Sequence, residues 1–509
     1  MVSPTDKNSQ IFKMSWLWQV SWSALIIAVC TGCSFSGSSP EVKPNIIIIL
    51  ADDLGYADVG VYGAKGFETP NLDRLAGEGL RFTSFYAPAS VCTPSRVGLL
   101  TGRYPMRAGL PRVIFPREMI GLNTDELTMA ELLKEQGYTT AAIGKWHLGA
   151  HPDFFPVNHG FDQFFGLPYS NDMSPKPENN PNKEARRNFP PLPLIDGSSI
   201  VEREPDQAEL LHRFTDRAVE FIETNRQNPF FLYYALHFPH VPLFATERFR
   251  DSTQRGLYGD VVNEIDWSVG QILQALEDRE LRDNTLVVFT SDNGPWLVFG
   301  DHGGSAGNLR EGKITTFEGG HRVPAIASWP GRIPKGKVTD QVATSMDLMP
   351  TIAYITNSEL PEDVVIDGHN IWPILSGKSN TGSPYDEAPL YFYIDENLQA
   401  VRLGPWKLHI PHNYLGAGKP GSSGSMGTYK TGHIGLSLFN LNDDPGETKN
   451  LADEYPEVVE RLMGCIESGR KELGDAITGT SGADRGEPGR VDHYWKELDE
   501  HELTYSSDD

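Results

Sequence analysis

A chain of 509 residues with 39% hydrophobic and 22% charged side chains carries enough apolar material for a sizeable core, which excludes a disordered or fibrous protein. Its 68 acidic against 44 basic residues leave a formal charge of −24, which argues against a nucleic-acid partner but allows a locally basic site for a small anion. Four cysteines in so long a chain do not make a disulfide scaffold.

The chain opens with Lys7 and Lys13, then a mostly apolar run from Trp16 to Cys33, then a Ser/Gly-rich stretch at 34–39. A positive start, a short apolar run and small residues read as an export signal. The run is too short and too well bounded for a membrane span. Thr31-Gly32-Cys33 resembles the end of a bacterial lipoprotein signal, with Cys30 where an aliphatic residue is usual. Lipid on Cys33 would attach the protein to a membrane; ordinary cleavage nearby is the alternative. The expected location is the bacterial periplasm or the outer-membrane and cell-surface lipoprotein pool. Only Cys92 and Cys465 then remain in the folded body, and Cys465 sits in a helical pattern with Val458, Val459, Leu462 and Ile466.

Residues 45–50 read NIIIIL between Pro44 and Asp52, the signature of a strand buried on both faces of a parallel sheet. Similar runs recur at 139–143, 230–236 and 285–290, with helical patterns at 71–77, 128–136, 208–225 and 261–277 between them. The alternation predicts an α/β protein with a wound, mostly parallel sheet flanked by helices, whose polar strand ends share one site. Residues 173–193 form a long Pro- and Asn-rich loop containing Lys183, Arg186 and Arg187. From about 386 the pattern changes to short strands at 390–394, 400–403, 406–410 and 436–440, a glycine-rich loop at 416–427, and a helix at 456–473. That predicts a smaller C-terminal antiparallel subdomain. The expected layout is an export signal at 1–33, a linker at 34–43, a catalytic domain at 44–385, the subdomain at 386–474 and a loosely ordered polar tail at 475–509.

Asp52 and Asp53 directly follow the first strand. Two adjacent carboxylates repel unless a cation joins them, and oxygen ligands suit a hard ion, calcium or magnesium. Alone, the pair reads more readily as a turn or helix cap. Asp292-Asn293-Gly294 follows another apolar strand in the same way, and two such strand ends build one metal site. In Cys92-Thr93-Pro94-Ser95-Arg96, Thr93 reads as an N-cap and Pro94 as the first helical residue. Residue 92 is thereby placed at a helix N-terminus, a natural anion site, with Arg96 in the first turn.

Cys92-x-Pro94-x-Arg96 followed by Gly102-Arg103 resembles the signature of the formylglycine-dependent sulfatases. Gly144-Lys145-Trp146-His147-Leu148-Gly149, Gly312-Lys313, Glu318-Gly319-Gly320, Val401-Arg402-x-Gly404-x-Trp406-Lys407 and Asp444-Pro445-x-Glu447-x-x-Asn450-Leu451 also look like segments of that family. Pro168-Tyr169-Ser170-Asn171-Asp172 is similar to its arylsulfatase A-like branch. The resemblance spans roughly 44–451 and implies an alkaline-phosphatase-like fold. It implies that a separate maturation enzyme oxidises Cys92 to formylglycine (3-oxoalanine), and that Asp52, Asp53, Asp292, Asn293 and residue 92 hold one calcium ion. Arg96 would hold the hydrated aldehyde, Lys145 and Lys313 would bind sulfate, and His240 would face the leaving oxygen. His147 would take a proton as sulfate is expelled, Ser170 would contact sulfate, and His237 would line the site or support His240. The implied reaction hydrolyses a sulfate ester to an alcohol and free sulfate, with a sulfated carbohydrate as the expected substrate. Trp296, Arg322, His409 and His412 are further pocket candidates. A phosphoester or phosphonate hydrolase on the same scaffold is one alternative, and a non-catalytic, glycan-binding surface lipoprotein is another.

Overall fold

The computed structural model describes residues 43–176, 189–378 and 382–499. The expected signal, Cys33, and the basic loop residues Lys183, Arg186 and Arg187 lie outside them.

In chain order the strands of the first part are β1 (Asn45–Ala51), β2 (Leu80–Tyr86), β3 (Ile120–Gly121), β4 (Thr139–Lys145), β5 (Gln163–Leu167), β6 (Pro193–Asp196), β7 (Ser199–Arg203), β8 (Phe230–Ala235), β9 (Thr285–Ser291), β10 (Arg322–Ser328), β11 (Lys337–Thr339) and β12 (Ala343–Thr344). All but β3 join one 11-stranded sheet in the order β11-β2-β10-β9-β1-β8-β4-β5-β6-β7, with β12 beside β2. Its centre, β9-β1-β8-β4-β5, is parallel. Antiparallel pairings bring in β10 on one side and β6 and β7 on the other. Every residue of β1, β8 and β9 is buried, as a strand covered on both faces requires. Helix Gln207–Thr224 packs on β4, β5 and β8 and against helix Leu257–Asp278, which also meets helix Pro70–Gly77. Helices Cys92–Thr101, Met129–Glu135 and Leu348–Thr356 pack on one another. The large mostly parallel sheet expected from the apolar runs is thus present. Because β1, β4, β8 and β9 run the same way, their C-terminal ends deliver Asp52, Lys145, His237 and Asp292 to one edge.

The C-terminal part contributes β13 (Leu390–Ile394), β14 (Asn397–Leu403), β15 (Trp406–His409), β16 (His412–Ala417), β17 (Tyr429–Ile434) and β18 (Ser437–Asn440). β13-β14-β15-β18 form an antiparallel sheet, and helix Pro456–Leu473 packs on β14 and β15. The glycine-rich stretch is mostly the tip of a separate β16–β17 hairpin. Those two strands carry few apolar residues and are largely exposed, so apolar patterning does not reveal them.

The tail departs from expectation: through Asp499 it is packed, not loose. Gly489–Arg490 (β19) pairs antiparallel with β3. Trp495 and Leu498 enter the core of the first part, with the Trp495 ring 5.5 Å from that of Phe155. Two apolar anchors in a polar stretch secure the segment, and average composition hides them. Trp495→Ala is expected to cost about 3 kcal/mol, as for other buried tryptophans. Chemical denaturation checks this, and an unchanged unfolding midpoint would mean that the docked tail adds no stability.

Candidate active site

Two strand ends turn sharply into the site: Asp53 after β1 and His147 after β4 both adopt positive φ, at 65° and 62°. Neither is a glycine, so both conformations are held at a conformational cost by the surrounding contacts. The helix carrying the signature begins at Cys92 itself, with Val91 as an N-cap that makes no side-chain bond. Thr93 is therefore not the cap. Its hydroxyl donates to the His147 carbonyl (3.0 Å) and accepts from the Ile114 N–H (3.4 Å), tying the first turn to β4's exit. The thiol still lies where the helix presents unpaired N–H groups and positive dipole.

Around the thiol stand three carboxylates and three cations. Cys92 Sγ is 3.4 Å from Asp52 Oδ1 and 3.4 Å from Lys313 Nζ. Lys313 donates to both oxygens of Asp53, at 2.6 and 2.8 Å. Lys145 donates to Asp52 (2.6 Å) and to Ser170 Oγ (3.1 Å). Arg96 holds Asp292 through Nε (3.0 Å) and a terminal nitrogen (2.8 Å), and donates to the Lys145 carbonyl (2.8 Å). His240 Nε2 is 3.7 Å from Asp53 Oδ2, and its Nδ1 bonds the Val241 carbonyl. All of these side chains are buried.

Burial raises the Cys92 thiol, outweighing the attraction of Lys145 and Lys313, so the unmodified residue is a poor thiolate. Burial would also raise Asp52, but Lys145 above all, with His240, Arg96 and Lys313, holds it well below the usual carboxylate range. Burial and then the Asp52 charge push Asp292 up to about 7. Burial, reinforced by Lys145 and Arg96, holds His147 well below the ordinary histidine value.

The donor set fits a hard divalent cation. Ligand atoms of Asp52, Asp53, Cys92 and Asp292 all lie within 4.8 Å of one another. Asn293 donates its amide N–H to Asp53 (2.7 Å), while its buried Oδ1 has no partner among the described residues, an orphan oxygen beside three carboxylates. Oxygen-rich, carboxylate-dominated donors suit calcium or magnesium.

The remaining candidates divide. Ser170 is buried at the site against Lys145. His237 is fully buried, tilted against Phe238 and edge-on to Phe214, close enough to Asp52 and Lys145 to feel their charges, with both ring nitrogens unpartnered among the described residues. Trp296 belongs to the site, with Lys313 Nζ 4.6 Å above its ring and His240 5.5 Å away. Arg322, His409 and His412 do not line the pocket. Arg322 pairs with Glu318 (3.4 Å), His409 bonds Glu447 (2.8 Å), and His412 bonds the Ile410 carbonyl (2.7 Å). Patterning also misses Tyr429, which accepts a bond from the Trp296 indole (2.7 Å), because it lies on the unrecognised hairpin.

Three of the sequence segments noted above meet in one buried ion cluster. Lys407 Nζ lies 2.9 Å from Glu318 and 3.2 Å from Glu447, and Glu447 also accepts the Glu318 N–H (2.7 Å). Arg402 bonds Tyr86, whose hydroxyl donates to Glu318 (2.5 Å). Burial opposes ionisation of Glu318, but Lys407, Arg322, Arg402 and the Tyr86 hydroxyl together pull it down to about 2. The cluster braces the site from behind. Gly319 N–H donates to the Arg310 carbonyl just before Lys313, and Gly294 N–H to the Gly320 carbonyl. A Cβ at Gly294 would stand 1.8 Å from the Gly319 carbonyl, so only glycine allows this contact.

Comparison with known proteins finds the sulfatase family model over residues 44–358 and that of the C-terminal region of aryl-sulfatase over 385–484. Arylsulfatase A of Bos taurus is 42% identical, covering 85% of this chain and 88% of its own. N-acetylgalactosamine-6-sulfatase of Canis lupus familiaris is 38% identical over 89% and 90% of the two chains. The crystal structure of Ps i-CgsB in complex with k-i-k-neocarrahexaose superposes with a TM-score of 0.73 at 29% identity, covering 88% of this chain and 95% of its own.

Proposed function

The chain belongs to the sulfatase family of sulfuric ester hydrolases, and from that premise we propose that it frees sulfate from a sulfated carbohydrate at the Cys92 site. One observation carries the reading. A thiol at a helix start sits among three carboxylates, a free amide oxygen and three buried cations. The carboxylates and cations balance, so a divalent ion would leave two positive charges in surplus, a field suited to a sulfate ester.

We further propose that a maturation enzyme converts Cys92 to formylglycine, and that Asp52, Asp53, Asp292, Asn293 and residue 92 hold one calcium ion. When present, the hydrated aldehyde offers a hydroxyl to attack sulfur, and the ion favours its deprotonation. The chain's own residues then have distinct tasks. Arg96, locked to Asp292, offsets negative charge beside residue 92. Lys145, steadied by Ser170, and Lys313, steadied by Asp53, donate to the sulfuryl oxygens. His240 donates Nδ1–H to the Val241 carbonyl, and burial and then Lys313 hold it below the ordinary histidine value, so it passes a proton to the departing alcohol oxygen only when Nε2 is also protonated; the Lys313 ammonium is the other source of that proton. His147 donates Nε2–H to the Ile114 carbonyl (3.0 Å), which leaves the partnerless Nδ1 to take the proton from the second hydroxyl at residue 92. The balance is one ester and one water in, one alcohol and one sulfate out.

His147 is held neutral, so acid is expected to silence it. The kcat profile should stay level from pH 7 down to about 6.5, the ordinary histidine value, and fall only below that. An acid limb centred above pH 7 would remove His147 from this role.

Substrate class is supported by the relative named N-acetylgalactosamine-6-sulfatase and by the k-i-k-neocarrahexaose in the structural neighbour. Release of free sulfate from a panel of sulfated sugars tests it, and cleavage confined to lipid or steroid sulfates would defeat it. Paired rates on a sulfate ester and its matched phosphate ester test the chemistry, where a phosphate preference would overturn the reading. We assign the catalytic unit to 44–385, the subdomain to 386–474 and an exported, lipid-anchored start to 1–33, which the mass of the mature N-terminal peptide would check. Among the described residues no helix is long and apolar enough to cross a membrane.

A further inference from the structure

A cavity of about 370 Å³ opens beside the site. Val91 and Ile314, the chain neighbours of Cys92 and Lys313, form one wall, and Ile314 N–H donates to the Ser90 carbonyl (3.0 Å). The β13–β14 turn and the β16–β17 hairpin form the rest. Thr431 in that wall stands two residues along β17 from Tyr429, the partner of Trp296 over Lys313. The wall is thus built in part from the immediate chain neighbours of residue 92 and of Lys313, which sets the space next to the place assigned above to the sulfate. The volume is at the small end of ligand pockets, enough for one or two rings.

The chemistry of the wall is selective. No Lys or Arg lines it, and Asp395 is its one charged residue. Asn397, Gln399 and Asn413 add amides. Gln399 Oε1 accepts from Thr316 (3.0 Å) and Asn413 Oδ1 bonds His433 (3.0 Å), so the amide N–H groups of both remain to donate. Asp395 makes no hydrogen bond or ion pair among the described residues. The one cation acting on it, Arg112, opposed by the neighbouring Glu396, lies in a second cavity of about 670 Å³ and is engaged by both oxygens of Glu118 (2.9 and 3.0 Å). The other arginines of that cavity are likewise paired: Arg117 with Asp499, Arg485 with Glu396, and Arg490 with Glu487. Neither space offers an unpaired cation to a second anionic group.

We propose that the cavity takes an uncharged ring, with hydroxyl or acetamido groups facing its amide donors, and that Asp395 turns away substrates bearing a second sulfate or a carboxylate on that ring. The proposal rests on the sulfatase reading above. In physical terms a like charge a few ångströms away in a half-wet cleft disfavours binding by about tenfold, and salt weakens the effect.

The test compares 4-acetamidophenyl sulfate with 4-carboxyphenyl sulfate on the mature full-length protein, on Asp395→Asn and on Asp395→Lys, at about pH 8, where a carboxylate is ionised. Differences in leaving-group reactivity cancel when the carboxyl-to-acetamido ratio of kcat/KM is compared between proteins. That ratio is expected to rise severalfold in Asp395→Asn and about tenfold or more in Asp395→Lys, and the rise should shrink when salt is increased from about 0.02 to 0.5 M. An equal ratio in all three proteins overturns the proposal, as does a rise that salt leaves untouched. If Asp395→Lys loses both activities together through misfolding, the Asp395→Asn ratio alone decides. If the unaltered protein releases sulfate from neither ester but does so from a sulfated sugar, the same ratio is read on that sugar and its carboxylated counterpart; if it releases sulfate from none, the sulfatase reading fails and this assignment falls with it.

Discussion

Cys92→Ala is expected to lose at least about four orders of magnitude in kcat, since removing a nucleophile abolishes the covalent route and leaves only the field of the site. Binding should survive better than turnover. Arg96, Lys145 and Lys313 are held by Asp292, Asp52 and Asp53, not by the thiol, so their positive charge stays in place. Cys92→Ser separates two requirements. A serine hydroxyl can attack sulfur, but it has no second hydroxyl from which His147 can take a proton to expel sulfate. Its expected behaviour is a single stoichiometric turnover that leaves residue 92 heavier by one sulfuryl group. The mass of the peptide containing residue 92 reads all three states: thiol, aldehyde and sulfated serine. Sulfate release by Cys92→Ala at the unaltered rate would refute the assigned nucleophile.

Lys407→Met carries the largest expected effect on stability. Lys407 is fully buried between Glu318 and Glu447, which are buried themselves. Removing the cation leaves two carboxylates close together, with Arg322, Arg402, His409 and Tyr86 as company. The expected cost is about 3–5 kcal/mol, the usual penalty for orphaning one side of a buried pair. Denaturant titration measures it, and a shift under about 1 kcal/mol would mean that the remaining partners suffice. Removing one facing charge as well, in Lys407→Met with Glu318→Gln, should recover part of the loss, because the unpaired carboxylate causes most of it. Activity should fall alongside, since the Glu318–His321 turn reaches both the Lys313 loop and Gly294 through backbone hydrogen bonds.

Much of the site is legible in the sequence because a parallel sheet obliges it to be. β1 and β9 read as strands from their unbroken apolar runs, and polar residues just after such runs have one edge to occupy. Asp52, Asp53, Asp292 and Asn293 therefore declare themselves by position, and Cys92 by its pentapeptide. Legibility ends where packing overrides local preference. Thr93 suits an N-cap, but its hydroxyl is taken by the His147 carbonyl, and the helix starts one residue earlier. His409 and Arg322 look like pocket residues from composition, yet the nearby carboxylates of Glu447 and Glu318 claim them. Asp395 sits in the turn after a recognisable strand, and nothing in that turn reveals that the fold sets it in one cavity wall with Val91, the chain neighbour of residue 92, some three hundred positions earlier.

The docked tail bears on how the molecule is made. Trp495 and Leu498 fill a core whose other members, such as Phe155 and Phe164, emerge from the ribosome hundreds of residues earlier. The first half therefore waits with a gap in its interior until the last stretch has been synthesised. Cys92 is only 2% exposed once folding is complete, so on the maturation proposed above we expect the modifying enzyme to reach it during that interval. On that proposal, late arrival of the tail would set a time window for the modification. A chain cut short before Trp495 should hold that window open, and the fraction of aldehyde at residue 92 would then rise even as the truncated protein becomes less stable.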